Sequence, residues 1–165
     1  METNPQLELA FNFLEYTGTS IFLTGKAGTG KTTFLRELKR RSPKRMIVVA
    51  PTGVAAINAG GVTIHSFFQL AFAPYIPESV RGVNPQNRQE QFRFNKQKIA
   101  IIRSIDLLVI DEISMVRADV LDAVSDVLRR YRDPGKPFGG VQLLLIGDLQ
   151  QLAPVVRDEE WSLLG

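Results

Sequence analysis

Residues 25–32, GKAGTGKT, separate an apolar run, SIFLT (20–24), from a helix-forming run over 31–41. A strand, a glycine loop and a helix in that order admit few folds. The glycines let backbone N–H groups turn inward around an anion, beside a helix N-terminus that already favours negative charge. The spacing is G-x-x-x-x-G-K-[ST], which places Lys31 to reach the β- and γ-phosphates of a nucleotide and the Thr32 hydroxyl to bind Mg²⁺. The candidate nucleotide contacts are therefore Gly25, Lys26, Ala27, Gly28, Thr29, Gly30, Lys31, Thr32 and Thr33. An ordinary glycine-rich turn is the competing reading, and the flanking strand and helix weigh against it.

The rest of the chain alternates in the same way. Asn4 then Pro5 has the form of an N-cap and a first-turn proline, and Leu7, Ala10, Phe11 and Leu14 recur at helical spacing, which predicts a helix over 5–16. MIVVA (46–50) is a buried strand closed by Pro51, a short helix is expected near Gly53, and GVTI (61–64) offers a third strand. KQKIAIIRSI (96–105) predicts a helix, DLLVI (106–110) a strand, DPGKPFGG (133–140) a loop and VQLLLI (141–146) a last strand. Over 117–131, Val120, Leu121, Val124, Val127, Leu128 and Tyr131 share one face, with Asp119, Asp122, Asp126 and Arg129 elsewhere, as in an amphipathic helix. Residues 73–94, with three prolines among many polar groups, read as a long loop or insertion.

Near-continuous apolar strands alternating with helices predict an α/β domain, a mostly parallel sheet covered by helices on both faces. Ligands gather at the carboxyl ends of such strands. Gly25, Pro51, Asp111 and Gly147 all fall just past one.

In LLVIDE (107–112), Asp111 is suited to hold Mg²⁺ and Glu112 to orient and deprotonate an attacking water. The plainer reading is that the pair caps the next helix. The adjacent glutamate favours a hydrolysing ATPase over a small-molecule kinase, which needs no water activator. In GDLQQLAPV (147–155) an aspartate and two amides crowd a strand end, an arrangement able to sense a γ-phosphate. His65, the single histidine, reads from its surroundings alone as a structural residue, and Phe67 and Phe68 as core before base-stacking platforms.

Composition sets limits. At 165 residues and 44% hydrophobic, the chain is long enough for one domain with a sizeable core. With no cysteine, disulfides and cysteine-based metal sites or nucleophiles are excluded. The start METNPQLELA lacks the pattern of a signal peptide, and the longest apolar runs are too short for a membrane span, so a cytoplasmic protein is expected. The net charge of +3 is mild, but RELKRRSPKR (36–45) holds six basic residues against one acid, and 81–103 six against Glu90. The first cluster reads as a solvated helix end where cations suit the macrodipole. The second is open between a solvated loop and a nucleic-acid contact.

GKAGTGKTT, APTGVAAINAGGVTIHSFF, VIDEISMV and PFGGVQLLLIGDLQQLAPV together resemble, in order and wording, the first motor domain of the Pif-type (petite integration frequency) DNA helicases of superfamily 1. They cover roughly a third of the chain, and the second and fourth stretches are the specific ones. The resemblance implies a RecA-like P-loop fold, ATP and Mg²⁺ as cofactors, and 5′-to-3′ translocation on single-stranded DNA by the intact motor. It associates such motors with DNA repair and telomere maintenance. It assigns Gln151 as the γ-phosphate-sensing glutamine, Gln6 as the adenine-reading one, and Pro51, Thr52, Gly53, His65, Ser66 and Phe67 to the DNA path. It thereby reverses the structural reading of His65. Three departures stand out: NPQLEL in its spacing, Ala153 in place of a usual proline, and Leu149 in place of a usual aromatic.

The family continues into a second RecA-like domain with the arginine fingers. Residues 1–165 are therefore expected to be one RecA-like domain of a longer helicase, with that second domain as partner. An autonomous P-loop ATPase (a loader or remodeller) and a nucleotide- or DNA-binding module without turnover are the two alternatives.

Overall fold

The structure, a computed structural model, describes residues 5–24, 31–70 and 94–147, with the side chains of Pro5, Gln6, Lys31 and Thr32 left aside. In chain order the elements are α1 (Pro5–Tyr16), β1 (Ile21–Thr24), α2 (Lys31–Arg41), β2 (Met46–Ala50), α3 (Gly53–Ala59), β3 (Val62–Thr63), α4 (Ile64–Phe68), α5 (Lys96–Ser104), β4 (Leu107–Ile110), α6 (Ala118–Tyr131) and β5 (Gln142–Gly147). Short 3-10 turns lie at Ile113–Met115 and Pro137–Gly140. The five strands form one parallel sheet in the order β1-β5-β4-β2-β3.

Strand alternation divides the core in two. Leu107 and Val109 of β4, with Leu144 and Ile146 of β5, pack with Phe11 and Leu14 of α1 and Leu35 and Leu38 of α2. Leu108 and Ile110 point the other way, into a cluster with Ile64 and Phe68 of α4, Ile102 of α5, and Val124 and Leu128 of α6. Helices on both faces of a parallel sheet are thus what the apolar runs implied.

Local differences have local causes. GVTI pairs as a strand only at Val62–Thr63, because Thr63 Oγ1 accepts the Ser66 N–H (3.1 Å) and starts α4 at Ile64. The loop over 133–140 contains the 3-10 turn Pro137–Gly140, whose Phe138 N–H donates to Ser125 Oγ (2.9 Å). Of the insertion expected over 73–94, only Phe94 is described; it is buried edge-on to Tyr131 (5.5 Å between centroids). Asn4, the expected cap of α1, lies outside the described residues.

Three polar features correct the sequence reading. The first basic cluster is not simply solvated. Lys39 Nζ donates to the Ala59 and Gly60 carbonyls at the end of α3 (2.9 Å each). Arg41 stacks on Phe11 at 4.0 Å. Lys44 Nζ donates to the carbonyls of Leu14 and Thr17 and to Gln142 Oε1, while Gln142 Nε2 donates to Thr17 and Thr19 carbonyls. These cations satisfy carbonyls that would otherwise lose water on folding. Lys98, from the second cluster, lies over the Phe67 ring at 4.1 Å, so it is neither a free loop cation nor fully solvated. Asp119, placed on the polar side of its helix, is instead buried at 2% exposure, because Arg117 compensates its charge with two hydrogen bonds (3.0 and 2.8 Å).

Candidate functional site

Parallel strands bring their carboxyl ends to one edge, and the described site residues collect there. At its centre is the end of β4. Asp111 N–H donates to the Val49 carbonyl (2.9 Å), extending the pairing with β2 by one residue. Strand alternation carries Asp111 to the face of Leu107 and Val109, the side where α2 begins at Lys31.

Glu112 then adopts φ 53, ψ 45, the left-handed region, which costs a residue with a Cβ roughly 1–2 kcal/mol. Its N–H donates to Asp111 Oδ1 (2.9 Å), and its carbonyl accepts the Met115 N–H (3.0 Å). Continued alternation would have sent Glu112 to the opposite face. The left-handed turn instead ends the strand at this point, directly after Asp111. Glu112 occupies the cap position of the turn Ile113–Met115 without a side-chain capping bond, so capping does not account for it.

That turn lies flush on the end of β5. A Cβ at Gly147 would meet Ile113 Cγ2 at 2.7 Å, so only glycine permits the approach. The start of GDLQQLAPV is thereby packed against the residues that follow Glu112. Gln151 itself, like Gly25, Lys26, Ala27, Gly28, Thr29 and Gly30, lies outside the described residues. Lys31 and Thr32 open α2, Thr33 is exposed in its first turn, and Gln6 sits in the first turn of α1.

On the other side of β4 the expected DNA-path residues form a strip. Ala50 pairs with Thr63, so Thr52 and His65 lie two residues beyond adjoining positions. Thr52 is exposed, and its Oγ1 accepts the Ala55 N–H (3.2 Å) to cap α3. Gly53 and Ser66 are exposed, while Pro51 and His65 are half-buried. Phe67 turns away from the strip: it is 6% exposed, edge-on to Phe68 (4.8 Å).

His65 has its pKa held below the ordinary histidine value of 6.5, mainly by burial and secondarily by Arg117, with Asp119 opposing. Because the folded value lies below the unfolded one, stability from this group is complete above about pH 6.5 and falls as acid protonates the unfolded chain first. His65→Gln is therefore expected to flatten the stability curve just below pH 6.5. Thermal midpoints between pH 7.5 and 5.5 check this, and an unchanged curve would contradict the environment described.

The chemistry of the edge suits Mg²⁺. Among the described residues no group of three or more His, Cys, Asp or Glu could hold a metal. Mg²⁺ needs no such cage, since it is commonly bound by one or two carboxylates together with substrate phosphates. Asp111, a hard oxygen donor on the α2 side of the edge, fits that role.

The Arg117–Asp119 pair was missed from sequence. A signal existed: Asp119 is in helical phase with the buried Ala123 and Val127, four and eight residues on.

A family model described as PIF1-like helicase matches residues 8–162. The ATP-dependent DNA helicase PIF1 of Emericella nidulans is 41% identical over 146 residues, covering 84% of this chain and 18% of that protein. A crystal structure of Bacteroides Pif1 bound to ssDNA matches 99% of this chain and 36% of its own, with TM-score 0.85 and 44% identity. A structure of Bacteroides sp Pif1 in complex with ADP-AlF4 covers the same shares, with TM-score 0.87 and 43% identity. This chain thus spans a minor part of each relative's length. Among the described residues no helix is long and apolar enough to cross a membrane.

Proposed function

The chain belongs to the PIF1-like helicase family, and on that premise we propose that it is the Mg-ATP-binding motor domain of an ATP-dependent 5′-to-3′ DNA helicase, carrying the nucleotide site and part of the single-stranded DNA path. The observation that carries this reading is the turn at Glu112. It presents Asp111 and Glu112 at the sheet edge between the start of α2 and the strip from Thr52 to Ser66. Nucleotide chemistry and a nucleic-acid contact then share one edge.

In this reading the loop 25–30 cradles the phosphates and Lys31 reaches the β- and γ-oxygens. Thr32 and Asp111 would hold Mg²⁺, which would supply positive charge to neutralise the phosphates. Glu112 orients a water and accepts its proton. Gln151 contacts the γ-phosphate, and Gln6 reads the adenine. Thr52, Gly53, His65 and Ser66 position a phosphate backbone, a contact that carries no sequence information. Pro51 and the buried Phe67 hold that strip in place. With its imidazole neutral near pH 7, His65 acts as a hydrogen-bonding group and not as a cation.

Residues 1–165 form one RecA-like domain, whose partner is a second such domain of the same polypeptide, and the protein works in the cytoplasm. The relatives' names, ATP-dependent DNA helicase PIF1 and Pif1 bound to ssDNA, support the activity and the substrate.

The test is ligand-induced stabilisation. ATP or ADP with Mg²⁺ is expected to raise the thermal midpoint, by about 2.7 kcal/mol of stability at a hundredfold excess over Kd. Lys31→Ala is expected to remove most of that gain. An undiminished shift in the variant would place the nucleotide elsewhere.

A further inference from the structure

Among the described residues Asp119 is the one buried charged side chain, and Arg117 reaches it through a two-bond fork while being 18% exposed itself. Removing two ions from water is expensive, and apolar replacements of such pairs are often neutral or stabilising. Stability alone is therefore a weak account of this pair. Its position offers a better one. Arg117 stands five residues after Glu112, and the intervening chain is one tight turn, closed by Met115 N–H to the Glu112 carbonyl and Val116 N–H to the Ile113 carbonyl (3.0 Å each). Movement at Arg117 has little slack in which to dissipate before Glu112. On the other side, Ile64 and Phe67, which bracket His65, share one core with Val116 and Ile113. The charges of Arg117 and Asp119 also bear on the His65 pKa, Arg117 lowering it and Asp119 opposing, both after burial. At one end of this path Glu112 itself holds a strained left-handed backbone, of the kind found where backbone switches between arrangements.

We propose that the Arg117–Asp119 ion pair is a positioning element that transmits engagement of single-stranded DNA at His65 to the water-orienting Glu112, so that DNA stimulates turnover through it. The proposal rests on the functional reading above and adds how its two sites communicate. In this role both residues act through their neighbours.

The experiment uses the complete polypeptide that carries this domain, with oligo-dT as the DNA. ATP turnover is measured with and without oligo-dT, alongside the KM for ATP and the oligo-dT Kd. Asp119→Asn is expected to reduce the DNA stimulation factor by roughly 2- to 30-fold, the range for residues along coupling networks. Basal turnover, KM for ATP and the nucleotide-induced thermal shift should stay within about twofold of the parent. The double variant Arg117→Gln with Asp119→Asn removes both charges of the pair together and guards against misfolding; it should lose stimulation equally. Full stimulation in the double variant, or a parallel fall in basal and stimulated rates, would overturn the proposal. The functional reading fails separately, if the parent shows no DNA stimulation or if His65→Gln leaves oligo-dT binding unchanged.

Discussion

Glu112→Gln is expected to abolish DNA-stimulated ATP turnover in a polypeptide that carries this domain together with the proposed second motor half, while ATP binding survives. General-base assistance contributes about 10²–10⁴-fold, so the residual rate should fall in that range below the parent. Gln keeps the size and the hydrogen-bonding reach of the side chain, and the left-handed backbone at Glu112 is held by main-chain contacts to Asp111 Oδ1 and Met115 N–H. The turn should therefore persist and only proton acceptance be lost. The nucleotide-induced thermal shift is the control. Residues 1–165 alone are expected to bind ATP yet turn it over slowly, because an arginine that neutralises transition-state charge is worth about 10³–10⁵ and is expected from the proposed second motor half. Brisk, Glu112-dependent turnover by the 165-residue chain would instead make the self-contained ATPase the better description.

The largest loss of stability from a single methyl group is expected at Gly61→Ala. A Cβ there would lie 2.1 Å from the Val48 carbonyl oxygen and 2.7 Å from its carbon, backbone atoms that no rotamer change can move. β3 can approach β2 this closely only with glycine at its start. The cost should reach about 3 kcal/mol, the upper end for overpacking, and lower the thermal midpoint by roughly 6–12 °C. Gly53→Ala is the internal control: nothing lies within 4 Å of a Cβ there, and little change in midpoint is expected. Equal effects of the two substitutions in thermal unfolding would contradict the packing of β3 on β2. Both glycines belong to the stretch APTGVAAINAGGVTIHSFF, so one motif combines a packing constraint with a surface exposed at the site edge.

The alternation of apolar runs with helical spacing sufficed to assign the parallel sheet, its two helical faces and the edge at which Pro51, Asp111 and Gly147 lie, while Thr52 and His65 joined that edge only through the family resemblance. The strands and helices behind those features follow local preferences, which leave a period or a spacing in the chain. The left-handed backbone at Glu112 left no such mark, since glutamate is not a residue that announces a positive φ. Nor did the fates of the charges. Lys39 and Lys44 read as solvated until α3 placed the Ala59 carbonyl beside the one and β5 placed Gln142 beside the other.

The sequence by itself determined the local grammar: which runs are strands, which turn carries the phosphate-loop spacing, and which carboxylates follow a strand. Tertiary structure alone decided which polar groups meet. Lys44 and Gln142 are 98 residues apart and bond only because the crossovers set the strand order β1-β5-β4-β2-β3, bringing the start of β5 beside the end of α1. A buried charge is tolerable only where a partner reaches it, and no spacing along the chain records a partner that the sheet order supplies.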